Sequence, residues 1–264
     1  MNITTLIVVT ALNFSVANPP VQEASNGQQQ PSPLDRAIAL DGADDFVSVP
    51  ACEAMRYPGT GGWTLELWVK PVIYPHKNEV AIVGQESVGV DARDPWSLRI
   101  HPTHFEFRVD DDHGGVDSLR FDMALGVWQH VTCVYEDTEQ QGQGERWIAV
   151  YVDGTLIERR RTRIEMGSRM DPVYMGALGN ARFCGLIDNV RIWSTSLGHR
   201  DIEAAVRGDI EPHDTRLRGF WAFDEPGGAV AIDSSAHRMH AILGRAHDPH
   251  DRAAPERVAR AHAR

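Results

Sequence analysis

The chain has 264 residues, 42% of them hydrophobic, and its formal net charge at pH 7 is −11. A chain of this size buries ~70% or more of the surface that its unfolded form exposes, so the composition predicts a globular protein and excludes a disordered one. The negative charge argues against a nucleic-acid-binding surface, and three cysteines are too few for a disulfide framework.

The N-terminal segment carries a location signal. Residues 6–12 form an apolar run that is too short to cross a bilayer but has the length of a signal-peptide core. Small residues at 15–17 offer a cleavage site, although no Lys or Arg precedes the run. We therefore predict a signal peptide over 1–17 and a flexible linker over 18–33, and hence a secreted, periplasmic or extracellular protein. No other segment could span a membrane.

Short segments of alternating apolar and polar residues, typical of β-strands, follow one another along the chain. They are residues 39–50, 63–70, 97–100, 104–109, 128–135, 146–152 and 217–223. The pair Asp153-Gly154 indicates a hairpin turn, because both residue types tolerate the positive φ angles that such turns require. The chain is therefore predicted to be all-β and mostly antiparallel.

One short helix is predicted over residues 197–207, where Ser196 can cap its start and Gly208 its end. A single helix and the lack of a phosphate-cradling glycine pattern argue against a nucleotide-binding sheet. We predict one domain over residues 34–244. The basic segment 245–264 is predicted to be a mobile tail.

Asp188 interrupts an otherwise apolar face of a strand. A period of two residues places it on the same side as Leu186, Val190 and Ile192. An unpaired buried carboxylate costs several kcal/mol or more, so Asp188 requires a hydrogen-bonded partner, an ion pair or a metal. The sequence leaves these alternatives open.

Other polar residues carry weaker signals. Glu66 and Glu106 each alternate with apolar neighbours and are predicted to face solvent. The spacing of His101, His104 and His113 fits no common structural zinc site, so solvated turn histidines are the favoured interpretation.

Six motifs occur in the order seen in laminin-G-like domains of the concanavalin A-like lectin/glucanase superfamily, and the chain resembles that family, with pentraxins as close relatives. They are the Asp-Gly segment from residue 40, the Trp-rich strand 63–71, residues 128–131, 151–156, 185–193 and 221–225. The resemblance covers residues 34–244. It implies a two-sheet antiparallel β-sandwich of jelly-roll topology, with the first and last strands adjacent and a concave face that binds glycans in many relatives.

The resemblance also implies a structural calcium ion. In related jelly rolls an Asp at the position of Asp188, with oxygens from the early Asp-Gly strand, holds calcium, so Asp41, Gly42 and Asp188 form the implied ligand set. The alternative is that Asp188 and Arg191 or nearby amides satisfy each other without metal. The paired Glu residues of the glucanase branch do not occur here, so no enzymatic activity is expected.

Two functions remain open. The first is a secreted module that binds an extracellular glycan or glycoprotein; the second is a structural or adhesive protein that binds other proteins without glycan specificity. Long loops at 72–95 and 110–126 favour the first. Aromatic platforms combined with carboxylates are typical of sugar sites, and the candidate residues are Trp96, Asp110, Asp111, Asp112, Trp147 and Tyr174. For the aspartates a solvated turn is favoured over a ligand or second calcium site.

Overall fold

Strands dominate the computed structural model, which describes residues 35–86, 94–138, 144–211, 213–244 and 254–260. The strands are β1 (Arg36–Asp41), β2 (Val47–Val49), β3 (Trp63–Pro71), β4 (Val80–Gln85), β5 (Trp96–Ile100), β6 (Phe105–Asp110), β7 (Val116–Phe121), β8 (Gln129–Asp137), β9 (Arg146–Val152), β10 (Thr155–Thr162), β11 (Val173–Met175), β12 (Ala177–Leu178), β13 (Ala181–Arg182), β14 (Cys184–Trp193), β15 (Leu217–Trp221), β16 (Val230–Ala231), β17 (Ala241–Leu243) and β18 (Glu256–Ala259). A 3-10 turn (Glu53–Met55) and one α-helix, α1 (His199–Arg207), complete the described elements.

The strands form two eight-stranded antiparallel sheets. Sheet A has the order β10-β9-β8-β3-β14-β1-β18, with β15 also paired to β14, and sheet B has the order β16-β17-β2-β11-β4-β5-β6-β7. The short strands β12 and β13 pair only with each other. This arrangement confirms the predicted all-β, two-sheet sandwich.

The inner faces of both sheets contribute to one hydrophobic core. Leu65 and Leu67 of β3 are fully buried and pair with Cys133 and Val131 of β8. Trp96 and Phe107 from sheet B belong to the same core. Burial raises the pKa of the Cys133 thiol, as suits a small apolar core residue. None of the three cysteines is in a disulfide.

Helix α1 covers part of the outer face of sheet A. Its buried residues Ile202 and Ala205 face a second hydrophobic cluster that includes Trp193 and Leu197. Gly208 ends the helix in the left-handed conformation, as predicted, but Gly198 rather than Ser196 precedes its first turn. No described helix has the length and apolar character needed to cross a membrane.

The C-terminal segment corrects the predicted domain boundary. Residues 256–259 were expected to belong to a mobile tail, but they form β18, which pairs antiparallel with β1 from Arg36↔Ala259 to Ala39↔Glu256. This pairing covers backbone groups of β1 that would otherwise form a sheet edge. Arg257 adds an ion pair with Glu225 at 3.0 Å. The predicted signal peptide and linker lie outside the described residues.

A β-bulge in β14 changes the predicted orientation of Asp188. Asp188 pairs with Trp68 of β3 while Arg191 pairs with Glu66, so β14 has one residue more than β3 between these pairs, and Asn189 has φ = 50°. Ile187 and Val190 therefore both enter the core, whereas Asp188 and Arg191 project on the opposite face of the sheet. The prediction that Asp188 shares a face with Val190 and Ile192 was wrong.

A buried cluster of ionisable side chains occupies this outer face of sheet A. Its members are Glu66, His130, Asp188, Arg191 and Arg260. The closest contacts are Arg260 Nη1 to Asp188 Oδ2 at 2.5 Å, Arg191 Nη1 to Glu66 Oε1 at 3.3 Å and His130 Nε2 to Glu66 Oε2 at 3.7 Å. Glu66 is fully buried, so its predicted exposure to solvent was wrong.

Burial shifts the ionisation of this charged cluster. It raises the pKa values of Glu66 and Asp188 to about 7, because the neighbouring arginines offset only part of the desolvation penalty. It lowers the pKa of His130 to about 3, and Arg191 and Arg260 add to this shift. Both carboxyl groups therefore keep their protons to a higher pH in the folded protein than in the unfolded chain.

Replacing Glu66 with Gln should change how stability depends on pH. The folded-state pKa is raised above the unfolded value, so the contribution of Glu66 is largest below pH 4.5 and falls as pH rises to about 7. Relative to Glu66→Gln, the wild type should lose up to about 1.4 kcal/mol of unfolding free energy per pH unit across this window. Urea unfolding of both proteins from pH 4 to 9 measures the difference, and a difference that is constant with pH would contradict the assignment.

Replacing Arg260 should reveal the energetic role of the C-terminal segment. Arg260→Gln leaves the buried Asp188 carboxylate without its cation, and removing one partner of such a pair typically costs about 3–5 kcal/mol. Adding Asp188→Asn should recover much of the loss, because an amide requires no counter-ion. Denaturant unfolding at pH 8 tests both variants. Arg163→Gln, at an exposed position, is the control, and its unfolding free energy should lie within about 0.5 kcal/mol of the wild-type value. An equally small loss for Arg260→Gln would refute a stabilising role for the pair of Arg260 and Asp188.

Candidate ligand-binding cleft

A cleft of about 450 Å³ lies where the end of β1, the connection from β3 to β4 and the β12–β13 hairpin meet. This volume is within the usual range for small-molecule sites. Polar and aromatic side chains of several types line the cleft, including Asp41, Tyr74, His76, Lys77, Asn180 and Arg182. The cleft therefore combines hydrogen-bond donors and acceptors with an aromatic surface.

Three aspartates crowd together on the loop after β1, here called the acidic loop (residues 41–45). Asp41, Asp44 and Asp45 each offer a carboxylate oxygen, and these oxygens lie within 4.8 Å of one another. Asp45 is buried and accepts a hydrogen bond from the Asp41 amide at 3.1 Å. Burial, together with repulsion from Asp41 and Asp44, raises the pKa of Asp45 to about 6. A divalent cation with a preference for oxygen ligands suits such a donor set.

Gly42 is required by the shape of the acidic loop. Its φ angle is +80°, and a Cβ atom at this position would lie only 2.8 Å from the Cβ of Cys184. Asp41 Oδ1 in turn accepts a hydrogen bond from the Ala43 amide at 2.8 Å. The loop is therefore held by its own backbone conformation and hydrogen bonds.

Positively charged side chains lie on other segments of the cleft. Lys77 is exposed on the β3–β4 connection. The Arg182 guanidinium lies 5.4 Å from the Phe46 ring and donates hydrogen bonds to the carbonyls of Gly179 and Ala181. In the part of the chain that the structure describes, the cleft thus has one carboxylate, Asp41 at the start of the acidic loop, and cationic donors on separate chain segments.

The residues of the predicted calcium set do not come together. Asp41 pairs with Cys184 across β1 and β14, so Asp188 lies four positions further along β14, or about 13 Å at 3.3 Å per residue. Asp188 is engaged instead by Arg260 and by the side-chain amide of Asn189 at 2.9 Å. Of the three, only Asp41 and Gly42 line the cleft.

Two of the predicted ligand contacts, Trp96 in β5 and Asp110 in β6, serve the fold. Trp96 is fully buried in the core, 5.8 Å from the ring of Trp63, and no ligand can reach it there. Asp110 is also buried and receives two hydrogen bonds from Arg108, at 2.7 and 2.8 Å. Neither residue is available to a ligand at the surface.

The next two aspartates stabilise the turn after β6. Asp111 accepts hydrogen bonds from the amides of His113 and Gly115, both at 2.7 Å. Asp112 accepts one from the amide of Ser168 at 3.1 Å. These carboxylates thus already have backbone partners.

The two remaining candidates lie in different places. Trp147 lines a separate, smaller cleft of about 190 Å³ and is covered by Arg159, whose guanidinium lies 4.0 Å from its ring. Tyr174 packs against Phe46 at 6.2 Å between ring centroids, and Phe46 also contacts Arg182 of the cleft. Tyr174 thus packs against the residue that directly follows the acidic loop.

Sequence reasoning missed most of the cleft. Tyr74, Lys77 and Arg182 belong to segments that are far apart in the chain, and no local pattern connects them. One signal was available: three aspartates within five residues, 41–45, predict a cluster of carboxylates around a tight turn.

Comparison with known proteins agrees with this architecture. The family model described as the concanavalin A-like lectin/glucanases superfamily matches residues 41–203, more than half of the chain. The two antiparallel sheets around one core are the β-sandwich expected of this superfamily. The chain belongs to the concanavalin A-like lectin/glucanase superfamily, as its laminin-G-like motifs indicated.

Solved structures share the fold at low sequence identity. A Bacteroides ovatus protein to which carbohydrate binding is attributed has a TM-score of 0.61 and 18% identity over 86% of this chain and 60% of its own. The binding domain of a paraclostridial mosquitocidal protein has a TM-score of 0.50 and 12% identity over 65% of this chain and 46% of its own. A heptameric SAP-like pentraxin from Limulus polyphemus has a TM-score of 0.49 and 14% identity, over 81% of this chain and 96% of its own. No curated protein matches the sequence.

Proposed function

We propose that this protein is a secreted, non-catalytic binding module that recognises carbohydrate in the cleft beside the acidic loop, with a calcium ion held by that loop. The observation that carries the proposal is that Asp41 belongs both to a cluster of three carboxylates and to the lining of a cleft that contains aromatic, amide and cationic groups. The superfamily membership and the Bacteroides ovatus neighbour support it.

The chemistry of the cleft suits a ligand rich in hydroxyl groups. Carboxylates accept hydrogen bonds from hydroxyl groups, whereas Asn180, Lys77 and Arg182 can donate to hydroxyl oxygens. Tyr74 offers an aromatic face for the apolar side of a sugar ring. An extracellular glycan or a glycoprotein is the partner class that we expect, in keeping with the predicted signal peptide.

The acidic loop suits calcium better than the set that includes Asp188. Calcium takes six to eight oxygen ligands, of which Asp41, Asp44 and Asp45 would supply the charged ones. A bound cation would also offset the repulsion among these carboxylates. Asp188, by contrast, already faces Arg260.

The carboxylates of the molecule do not favour hydrolysis. Glycoside cleavage requires two carboxyl groups that flank the scissile bond. Asp41 is the one carboxylate that lines the cleft among the described residues, its neighbours Asp44 and Asp45 lie on the same loop, and Glu66 and Asp188 are buried away from solvent. Binding without turnover is therefore the proposed activity.

A protein-binding function is the second candidate. Val72 and Ile73 are 50% and 48% exposed, and Ile73 lines the cleft. Exposed apolar side chains at a cleft favour contact with a protein surface. In that case the module would be adhesive and would show no glycan specificity.

Calcium should stabilise the protein through the acidic loop. At a hundredfold excess over Kd the gain is about 2.7 kcal/mol, so Tm should rise by several degrees relative to chelator. Asp45→Asn should abolish this shift, because it removes a buried charged ligand. The matched control, Asp188→Asn, should retain the shift, because Asp188 lies about 13 Å from Asp41 along the strands. Thermal melts of the wild type and both variants, with calcium and with chelator, measure the shift in Tm. A shift that is lost with Asp188→Asn but kept with Asp45→Asn would refute calcium binding by the acidic loop.

Glycan binding should depend on the cleft. A glycan array with calcium and with chelator identifies a ligand, and calorimetry then compares variants. Lys77→Gln and Asn180→Ala, both at exposed positions, should each weaken binding about tenfold or more through loss of a hydrogen bond. Trp147→Ala, in the separate cleft, should bind normally. If only Trp147→Ala loses glycan binding, the glycan site is not in the cleft beside the acidic loop. If the wild type binds no glycan on the array, the adhesive function is favoured.

A further inference from the structure

Two histidines and a glutamate converge at the hairpin between β5 and β6. His101 and His104 flank the turn, which is closed by a hydrogen bond from the His101 amide to the His104 carbonyl at 2.8 Å. Their imidazole rings stack in parallel, with centroids 4.5 Å apart and an interplanar angle of 8°. Glu106, two residues after His104, brings its carboxylate to the same place.

The potential ligand atoms of these residues already lie close together. One nitrogen from each histidine and one Glu106 oxygen lie within 4.8 Å of one another, and His101 Nε2 is 3.0 Å from Glu106 Oε2. His104 Nδ1 contacts Thr103 Oγ1 at 3.1 Å, whereas His104 Nε2 is buried and has no hydrogen-bond partner among the described residues. A buried nitrogen without a partner is uncommon in folded proteins and requires an explanation.

The surroundings of the cluster lower the pKa values of two of its members. Burial, His101 and Arg120 all lower the pKa of His104, so its imidazole tends to be neutral. Burial opposes ionisation of Glu106, but hydrogen bonds from Ser118 and His101 outweigh it and lower the pKa of this carboxyl. Neutral imidazole and ionised carboxylate are the forms that coordinate metal.

We propose that His101, His104 and Glu106 form a binding site for a divalent transition-metal ion, with Zn²⁺ as the best-fitting ion. Two imidazole nitrogens and one carboxylate oxygen are a common ligand set for zinc, with bonds of about 2.0–2.2 Å and a fourth position open to water or a ligand. Tetrahedral ligands at such distances lie about 3.3 Å apart. Because the two stacked ring planes are nearly parallel, one imidazole must rotate about its Cβ–Cγ bond before both nitrogens can point at the same ion. Metal coordination would also give His104 Nε2 the partner that it lacks.

Two neighbouring features are compatible with this site. Arg120 lies 3.8 Å from Glu106, but its side chain is 71% exposed and can move into solvent when a cation binds. The site also differs in chemistry from the acidic loop, because imidazole is a poor ligand for calcium and a good one for zinc. His113, which the sequence placed near His101 and His104, does not belong to the cluster of described residues.

Titration of the full chain with ZnCl₂ tests the site. Wild-type protein should bind Zn²⁺ by calorimetry and melt at a higher temperature when Zn²⁺ is present, and excess Ca²⁺ should not compete. His104→Asn should weaken binding at least tenfold. His113→Asn, a histidine substitution on the next hairpin, should bind as wild type does.

Two further results separate this site from other zinc-binding positions. With Cu²⁺ as the probe, electron paramagnetic resonance should detect two nitrogen ligands in wild type and one in His104→Asn. Asp45→Asn, in the acidic loop, should leave Zn²⁺ affinity unchanged. A wild-type protein that does not bind Zn²⁺ at a concentration of about 1 mM would overturn the proposal, and so would a His104→Asn variant with unchanged Zn²⁺ affinity.

Discussion

The β-bulge at Asn189 determines how the centre of sheet A is organised. It resets the alternation of β14, so that Asp188 and Arg191 both project on the outer face while Ile187, Val190 and Ile192 remain in the core. Charged groups on a buried face require partners, because an unpaired ionised side chain costs several kcal/mol. Glu66 from β3 and Arg260 from beyond β18 supply them.

The ion pair between Arg260 and Asp188 connects the C-terminal segment to the middle of sheet A. β18 pairs with β1 through backbone hydrogen bonds, and Arg260 then reaches Asp188 with its guanidinium between the rings of Trp68 and Trp128, at 4.5 and 4.9 Å. The aromatic faces favour a cation at this position. Sheet pairing, ion pairing and cation–π contact thus act together on one short strand.

The same sheet geometry separates the structural carboxylates from those that a ligand can reach. Strands β1 and β14 run antiparallel, so the end of β1 and the acidic loop lie at one end of β14 while Asp188 lies well inside the strand. The buried aspartate therefore contributes to the fold, and the clustered aspartates at the strand end meet the cleft. The cluster of His101, His104 and Glu106 lies at a third place, a hairpin turn of sheet B, and it offers nitrogen ligands in addition to an oxygen ligand.

The sequence by itself determined the fold class, because alternation of apolar and polar residues is a local property that survives in almost every strand. The motifs also identified the superfamily, although the segment 39–50 was predicted as one strand and the structure ends β1 at Asp41. Only the tertiary structure decided which face Asp188 takes, since a single bulge reverses the parity that a period of two assumes. It likewise decided that Trp96 is core and that the segment 256–259 is a strand, because both depend on partners distant in the chain. Asp188 and Arg260 are separated by 72 residues, and no local pattern can encode a contact of that range.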